Sequence, residues 1–198
     1  MTAPKPPALA PSAFDDKDLP YPDVKLRPKG FVDDFTIAAD AFVASNAVLM
    51  GTVTVGARSS VWYNCVLRGD IAEIVIGEDT NIQDGTIVHC SRDLRAFVGD
   101  RVTVGHNCLI HACTVGTRAV IGMAASILDG ATVGEGALVA AGSVVREGTQ
   151  IPPGSFWAGV PAVSKGDVPE QWHQRFDDNW KGYVNNAWAY RRKLGMAD

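Results

Sequence analysis

The sequence holds no apolar run of the length a membrane span needs, about 18 residues, and no block of lysine or arginine. The formal net charge is −4. Phosphate backbones and anionic lipid surfaces are therefore poor partners, and neither nucleic acid nor membrane is expected. No apolar core follows Met1. The opening residues are proline-rich instead (Pro4, Pro6, Pro7, Pro11), so no secretory signal is expected. Cys-x-x-Cys pairs are missing too. Cys65, Cys90, Cys108 and Cys113 stand singly and read as free thiols of a reducing compartment, the cytoplasm. At 198 residues and 46% hydrophobic, the chain suits one sizeable domain with a small appendage.

What is present is a beat of six. Branched aliphatics fall at Ile37, Val43, Leu49, Val55, Val61 and Leu67, then at Ile76, Ile82 and Val88, then at Val98, Val104 and Ile110. The frame breaks at Gly69-Asp70 and over 91–97, and drops one residue after Ile110. It then runs unbroken through Val115, Ile121, Ile127, Val133, Val139, Val145, Ile151, Trp157 and Val163. Four residues after most stops comes a small residue, such as Ser59, Cys65, Thr80, Thr86, Ala119 or Ala125. A period of six is neither helical nor the plain alternation of a free strand. It suits a short strand and a tight corner, repeated. The aliphatic points to the axis, and the small residue fits where the chain turns inward. Three such faces make a coil of about 18 residues, and stacked coils bury a continuous apolar column. The expected fold is mainly β, a parallel β-helix of about seven coils.

Past residue 166 the pattern changes. Trp172, Phe176, Trp180, Tyr183, Val184 and Trp188 form one stripe of an amphipathic helix, with Pro169 in its first turn. The stripe reads as a packing surface against a flank of the β-helix, in the same subunit or its neighbour. The expected division is an irregular arm over 1–30, the β-helix over 31–166 and the helical segment over 167–198.

Four histidines are present. His173 falls on the helix and reads as a surface residue. His89 and His111 each directly follow an inward aliphatic, Val88 and Ile110, on the same face of consecutive coils. Their imidazoles should stack about 4.8 Å apart at the backbone, close enough to share an ion. His106, two residues after Val104, belongs to the preceding face. It can join the pair only if a second subunit brings it there, as a closed ring of subunits would. Three imidazoles with a vacant fourth position are the layout of a catalytic zinc site.

The motifs Arg68-Gly69-Asp70, Asn81-Ile82-Gln83-Asp84-Gly85-Thr86-Ile87-Val88-His89 and Gly105-His106-Asn107-Cys108-Leu109-Ile110-His111, in that order, resemble the γ-class carbonic anhydrases over roughly residues 30–190. The resemblance implies a left-handed β-helix homotrimer with a metal at each interface, bound by His89 and His111 of one subunit and His106 of the next. The implied metal is zinc, with ferrous iron or cobalt as alternatives. The implied reaction is reversible hydration of carbon dioxide to bicarbonate by a metal-bound hydroxide. Arg68 and Asp70 match an interface pair. Gln83 matches a residue that holds the reactive oxygen. Asp84 supports the site or faces Arg68 across the interface, and Tyr183 matches an aromatic over the pocket. Asn81 reads as a corner residue, and Cys90 and Cys113 as packing groups.

This chain departs from the best-known members at two points. Ile71 stands where they carry a glutamate, and only a short stretch from Cys90 to Arg95 replaces their acidic loop. Glu73 is the candidate substitute for the missing proton shuttle. Two other functions stay open at this point. One is a hexapeptide-repeat acyltransferase or thioesterase, with one histidine as base. The other is a weakly active or inactive metal-stabilised trimer.

Overall fold

The computed structural model describes residues 33–196, so the expected arm over 1–30 lies outside the described residues. The rest is a parallel β-helix closed by one long helix, as the repeat predicts. Most strands are two residues long, one side chain in and one out, before the chain turns. Their registers align the aliphatics into three columns. Val61, Ile82, Val104, Ile121, Val139 and Trp157 stack on one wall. Leu49, Leu67, Val88, Ile110, Ile127 and Val145 stack on the second. Ile37, Val55, Ile76, Val98, Val115, Val133 and Ile151 form the third. Nearly all are fully buried, each contributing about 1.5–3 kcal/mol by leaving water.

The small residues fill the corners. Ser59, Thr80 and Thr86 turn their hydroxyls inward and donate to Gly77 O, Gly99 O and Gly105 O of the next coil, at 2.6, 2.7 and 2.9 Å. A larger polar group would not fit, and an unpaired one would be costly there.

Both breaks in the beat are loops at one corner, between the Leu67 and Ile76 columns. In the first, strand Val48–Val55 pairs with strand Val66–Ile76 as Gly51↔Gly69, then resumes as Val53↔Ile74. Asp70 to Glu73 loop out between. Gly51 has φ +74°, and a Cβ there would sit 2.1 Å from Gly69 O. Only glycine permits that approach. The second break carries a small bridge, Ser91 N to Leu94 O at 2.9 Å.

Two expectations fail at the C-terminal end. Val163 is 49% exposed and outside the core. The chain reverses there, and strand Ala162–Asp167 pairs antiparallel with Ser155–Gly159, so the repeat has already ended. The helix, Gln171–Lys193, begins after Pro169 rather than on it, and Trp188 on its expected stripe is 56% exposed. The stripe drifts around the helix, so the buried side chains are Phe176, Ala187 and Arg191. The helix packs on the Val61 wall of its own chain. Tyr183 meets Trp62 edge-on at 5.6 Å, Arg191 donates to Ala41 O at 2.7 Å, and Arg118 pairs with Asp177 at 2.9 Å. No described helix is long and apolar enough to cross a membrane.

Candidate metal centre

His89 and His111 end strands Ile87–His89 and Leu109–His111 and are directly paired in register. Because Val88 and Ile110 point inward, the next residue of each strand points out. Nδ1 of His89 lies 2.9 Å from Nε2 of His111. The remaining ring nitrogens meet carboxylates. His89 Nε2 is 3.2 Å from Asp70 Oδ1, and His111 Nδ1 bonds Asp129 Oδ1. A ring nitrogen facing a carboxylate is the one that carries the proton. Both inner nitrogens then present lone pairs to one another, an arrangement that calls for a cation between them. Tetrahedral zinc with bonds of about 2.1 Å needs its nitrogens about 3.4 Å apart, so an opening of about 0.5 Å admits it. The donor set therefore fits the metal that the histidine spacing predicts.

Arg68 pairs with His89 in register one coil below, and its guanidinium bonds both Asp70 oxygens, at 2.9 and 3.2 Å. The Asp70 side chain is only 7% exposed. Burial pushes the Asp70 carboxyl up, but the bonds from Arg68 and His89 together hold it below the usual carboxylate range. Burial, then the Arg68 charge, lower the His89 pKa despite Asp70.

His106 lies elsewhere. Its Nδ1 is 3.0 Å from Asp84 Oδ2, it is part-exposed, and among the described residues it shows no contact with His89 or His111. Asp84 also accepts from Tyr63 N at 3.2 Å. The corner is tight. Gly85 has φ +74°, and a Cβ on it would sit 2.3 Å from Asn107 Oδ1. Gln83 is buried on the same wall and donates to Asn81 Oδ1 at 3.0 Å. Asn81 is not the corner residue expected. It lies within strand Asn81–Ile82 and donates to Val102 O and Thr103 Oγ1 at 3.3 and 3.1 Å, which fixes Gln83. Tyr183 is half-buried on Trp62, and burial together with the Asp84 charge raises its phenol pKa. The predicted site residues thus fall in two groups: Arg68, Asp70, His89 and His111 on one wall, and Gln83, Asp84 and His106 on another, with Tyr183 on the helix packed against it.

Asp70, His89 and Cys90 also place ligand atoms within 4.8 Å of one another. The Cys90 sulfur is already engaged, accepting from Ala72 N at 3.1 Å and donating to Ala72 O at 3.0 Å, which suits packing. A cleft of about 1010 Å³ opens beside Asp70, walled by Ile71, Glu73, Leu94, Arg95 and Ala112. On its rim Glu73 is tied to Arg95 at 2.9 Å. Asp129 is the residue the sequence reading missed. It follows His111 by one 18-residue coil, the signal that would have found it.

No family model matches the chain. Among curated proteins it is 48% identical over 148 residues to a protein of Methanocaldococcus jannaschii named "Probable carbonic anhydrase", covering 75% of this chain and 93% of that one. It is 44% identical over 154 residues to "Gamma carbonic anhydrase 2, mitochondrial" of Arabidopsis thaliana, covering 75% of this chain but only 55% of the plant protein's length. Among solved structures, a hexapeptide transferase family protein from Anaplasma phagocytophilum superposes with a TM-score of 0.76 at 38% identity, over 79% of this chain and 92% of that one.

Proposed function

The chain belongs to the γ-carbonic anhydrase family, and on that premise we propose that it hydrates carbon dioxide reversibly to bicarbonate at a metal shared between copies of itself. His89 and His111 of one copy and His106 of the next hold the ion, in a homotrimer with zinc, or with ferrous iron or cobalt. The observation that carries this reading is the His89–His111 pair, two lone pairs aimed at one point with a carboxylate behind each ring.

A second observation supports the assembly. Val48 and Ile87, on the same wall two residues before the site column, are 50% and 46% exposed. Apolar side chains beside a half-built site suit burial by another copy. A cyclic trimer gives each contact the same two walls, so each interface joins one half-site to the other.

When bound, the cation supplies the Lewis acidity that lets water attack near neutral pH. Arg68 and Asp70 orient His89. Asp84 orients His106. The Gln83 amide, anchored by Asn81, holds the attacking oxygen and the bicarbonate oxygens in place. Tyr183 backs Asp84 and excludes water from that side. The four free, buried thiols suit the reducing cytoplasm.

Acyl transfer, with His106 as base and Asp84 behind it, would use one pair and leave His89 and His111 without work. Elemental analysis and a carbon dioxide hydration assay on anaerobically purified protein, supplied in turn with zinc, cobalt and ferrous iron, test the proposal. Full metal without hydration under any of the three would leave only a metal-stabilised trimer. Protein that binds no metal would point to acyl transfer.

A further inference from the structure

We propose that Asp129 is a positioning residue that fixes the tautomer of His111 and so presents Nε2 to the shared metal. Asp129 sits in the corner after strand Ser126–Ile127, which pairs with strand Leu109–His111 one coil below. The corner is rigid: Asp129 O accepts from Gly148 N at 2.8 Å, and Gly130 N donates to Ala112 O at 2.8 Å. The carboxylate drops onto His111 Nδ1 from this frame.

The result is a line of four groups, Asp70, His89, His111 and Asp129, joined ring to ring and acid to ring. Asp129 is the carboxylate bonded to the His111 ring, and that bond decides where the ring's proton sits. With the proton on Nδ1, Nε2 is free to ligate. Without Asp129 the more stable placement of the proton is no longer dictated. The ring can also rotate, being only part-buried at 29% side-chain exposure. Groups of this kind shift metal affinity by about 10–100-fold when removed.

The inference rests on His111 being a ligand, so the test separates the two. In metal-free protein labelled with nitrogen-15 in histidine, long-range proton–nitrogen spectra report the tautomer directly. The native chain should show His111 protonated on Nδ1. Asp129→Ala should lose that preference, and its cobalt affinity, read from the visible absorption, should fall about 10–100-fold. Asp129→Asn keeps the shape but offers an amide that can donate as well as accept, so the tautomer preference and the cobalt affinity should weaken there too. A bulk packing role would leave the isosteric asparagine variant like the native chain, which would overturn the proposal, and this variant also covers the case in which the alanine variant fails to fold. His111→Ala is the control. If it binds cobalt like the native chain, the ligand assignment fails. If it loses cobalt while Asp129→Ala keeps both tautomer and affinity, Asp129 has no positioning role.

Discussion

Asp84 and His106 occupy one corner of the β-helix, a coil apart, with Oδ2 and Nδ1 separated by 3.0 Å. The carboxylate holds Nδ1, and among the described residues no hydrogen bond reaches Nε2. On the proposed assembly, that open nitrogen is the one given to a neighbouring subunit. Replacing His106 should empty the site although His89 and His111 are untouched. His106→Ala should carry almost no metal by elemental analysis and show no hydration. Full metal in that variant would end the cross-subunit assignment.

The apolar patch beside the site makes a separate prediction. Ile87→Asp places a charge where we expect a subunit boundary, at a side chain 46% exposed in the single chain. Sedimentation should show a shift from trimer to monomer, with circular dichroism unchanged and metal lost. A trimer that survives the substitution places the boundary on another wall.

Helix docking should respond to pH through Asp177. Burial raises its carboxyl, but bonds from Trp180 and Arg118 bring it below the ordinary value. A depressed carboxylate stabilises the fold above its unfolded pKa, about 3.9, and that contribution is lost as pH falls through the lower folded value. Asp177→Asn should therefore cost about 0.5–1 kcal/mol at neutral pH, since the pair is partly solvated. The gap should close in acid. Urea melts of both proteins from pH 7 down to about 3 would show it.

How far could the sequence alone have led to this geometry? The columns were legible because every inward position is aliphatic, and the His89–His111 pairing followed from Val88 and Ile110 sharing a column. Asp129 was not legible, since an acid before a glycine at a corner reads as an ordinary turn residue. Its partner becomes visible only when the coil period is applied to polar side chains. Val163 kept the period after the fold that gave it meaning had stopped.

The columns themselves predict a large penalty for truncation. Ile121 is fully buried between Val104 and Val139, and two-residue strands offer little room to relax. Ile121→Ala should destabilise by about 2–5 kcal/mol in urea titration. A loss below 1 kcal/mol would mean the interior is not tightly packed.

The thiols should be inert while the chain is folded. Burial pushes Cys65 and Cys108 up to about 11 and Cys113 up to about 12, so almost no thiolate exists near pH 8. Mass spectrometry after iodoacetamide at that pH should find these three unmodified in native protein and alkylated after denaturation. Rapid labelling of the native form would contradict the buried corners.

Both irregular loops, at 70–73 and at 91–95, leave the β-helix at one corner on successive coils and frame the cleft beside Asp70. Beneath them the aliphatic ladders run on without interruption. Length and charge at this corner can therefore change without disturbing the scaffold that holds the imidazoles. Residues can be added or exchanged at this edge with little cost to the stack, because the inward-facing columns draw no support from it.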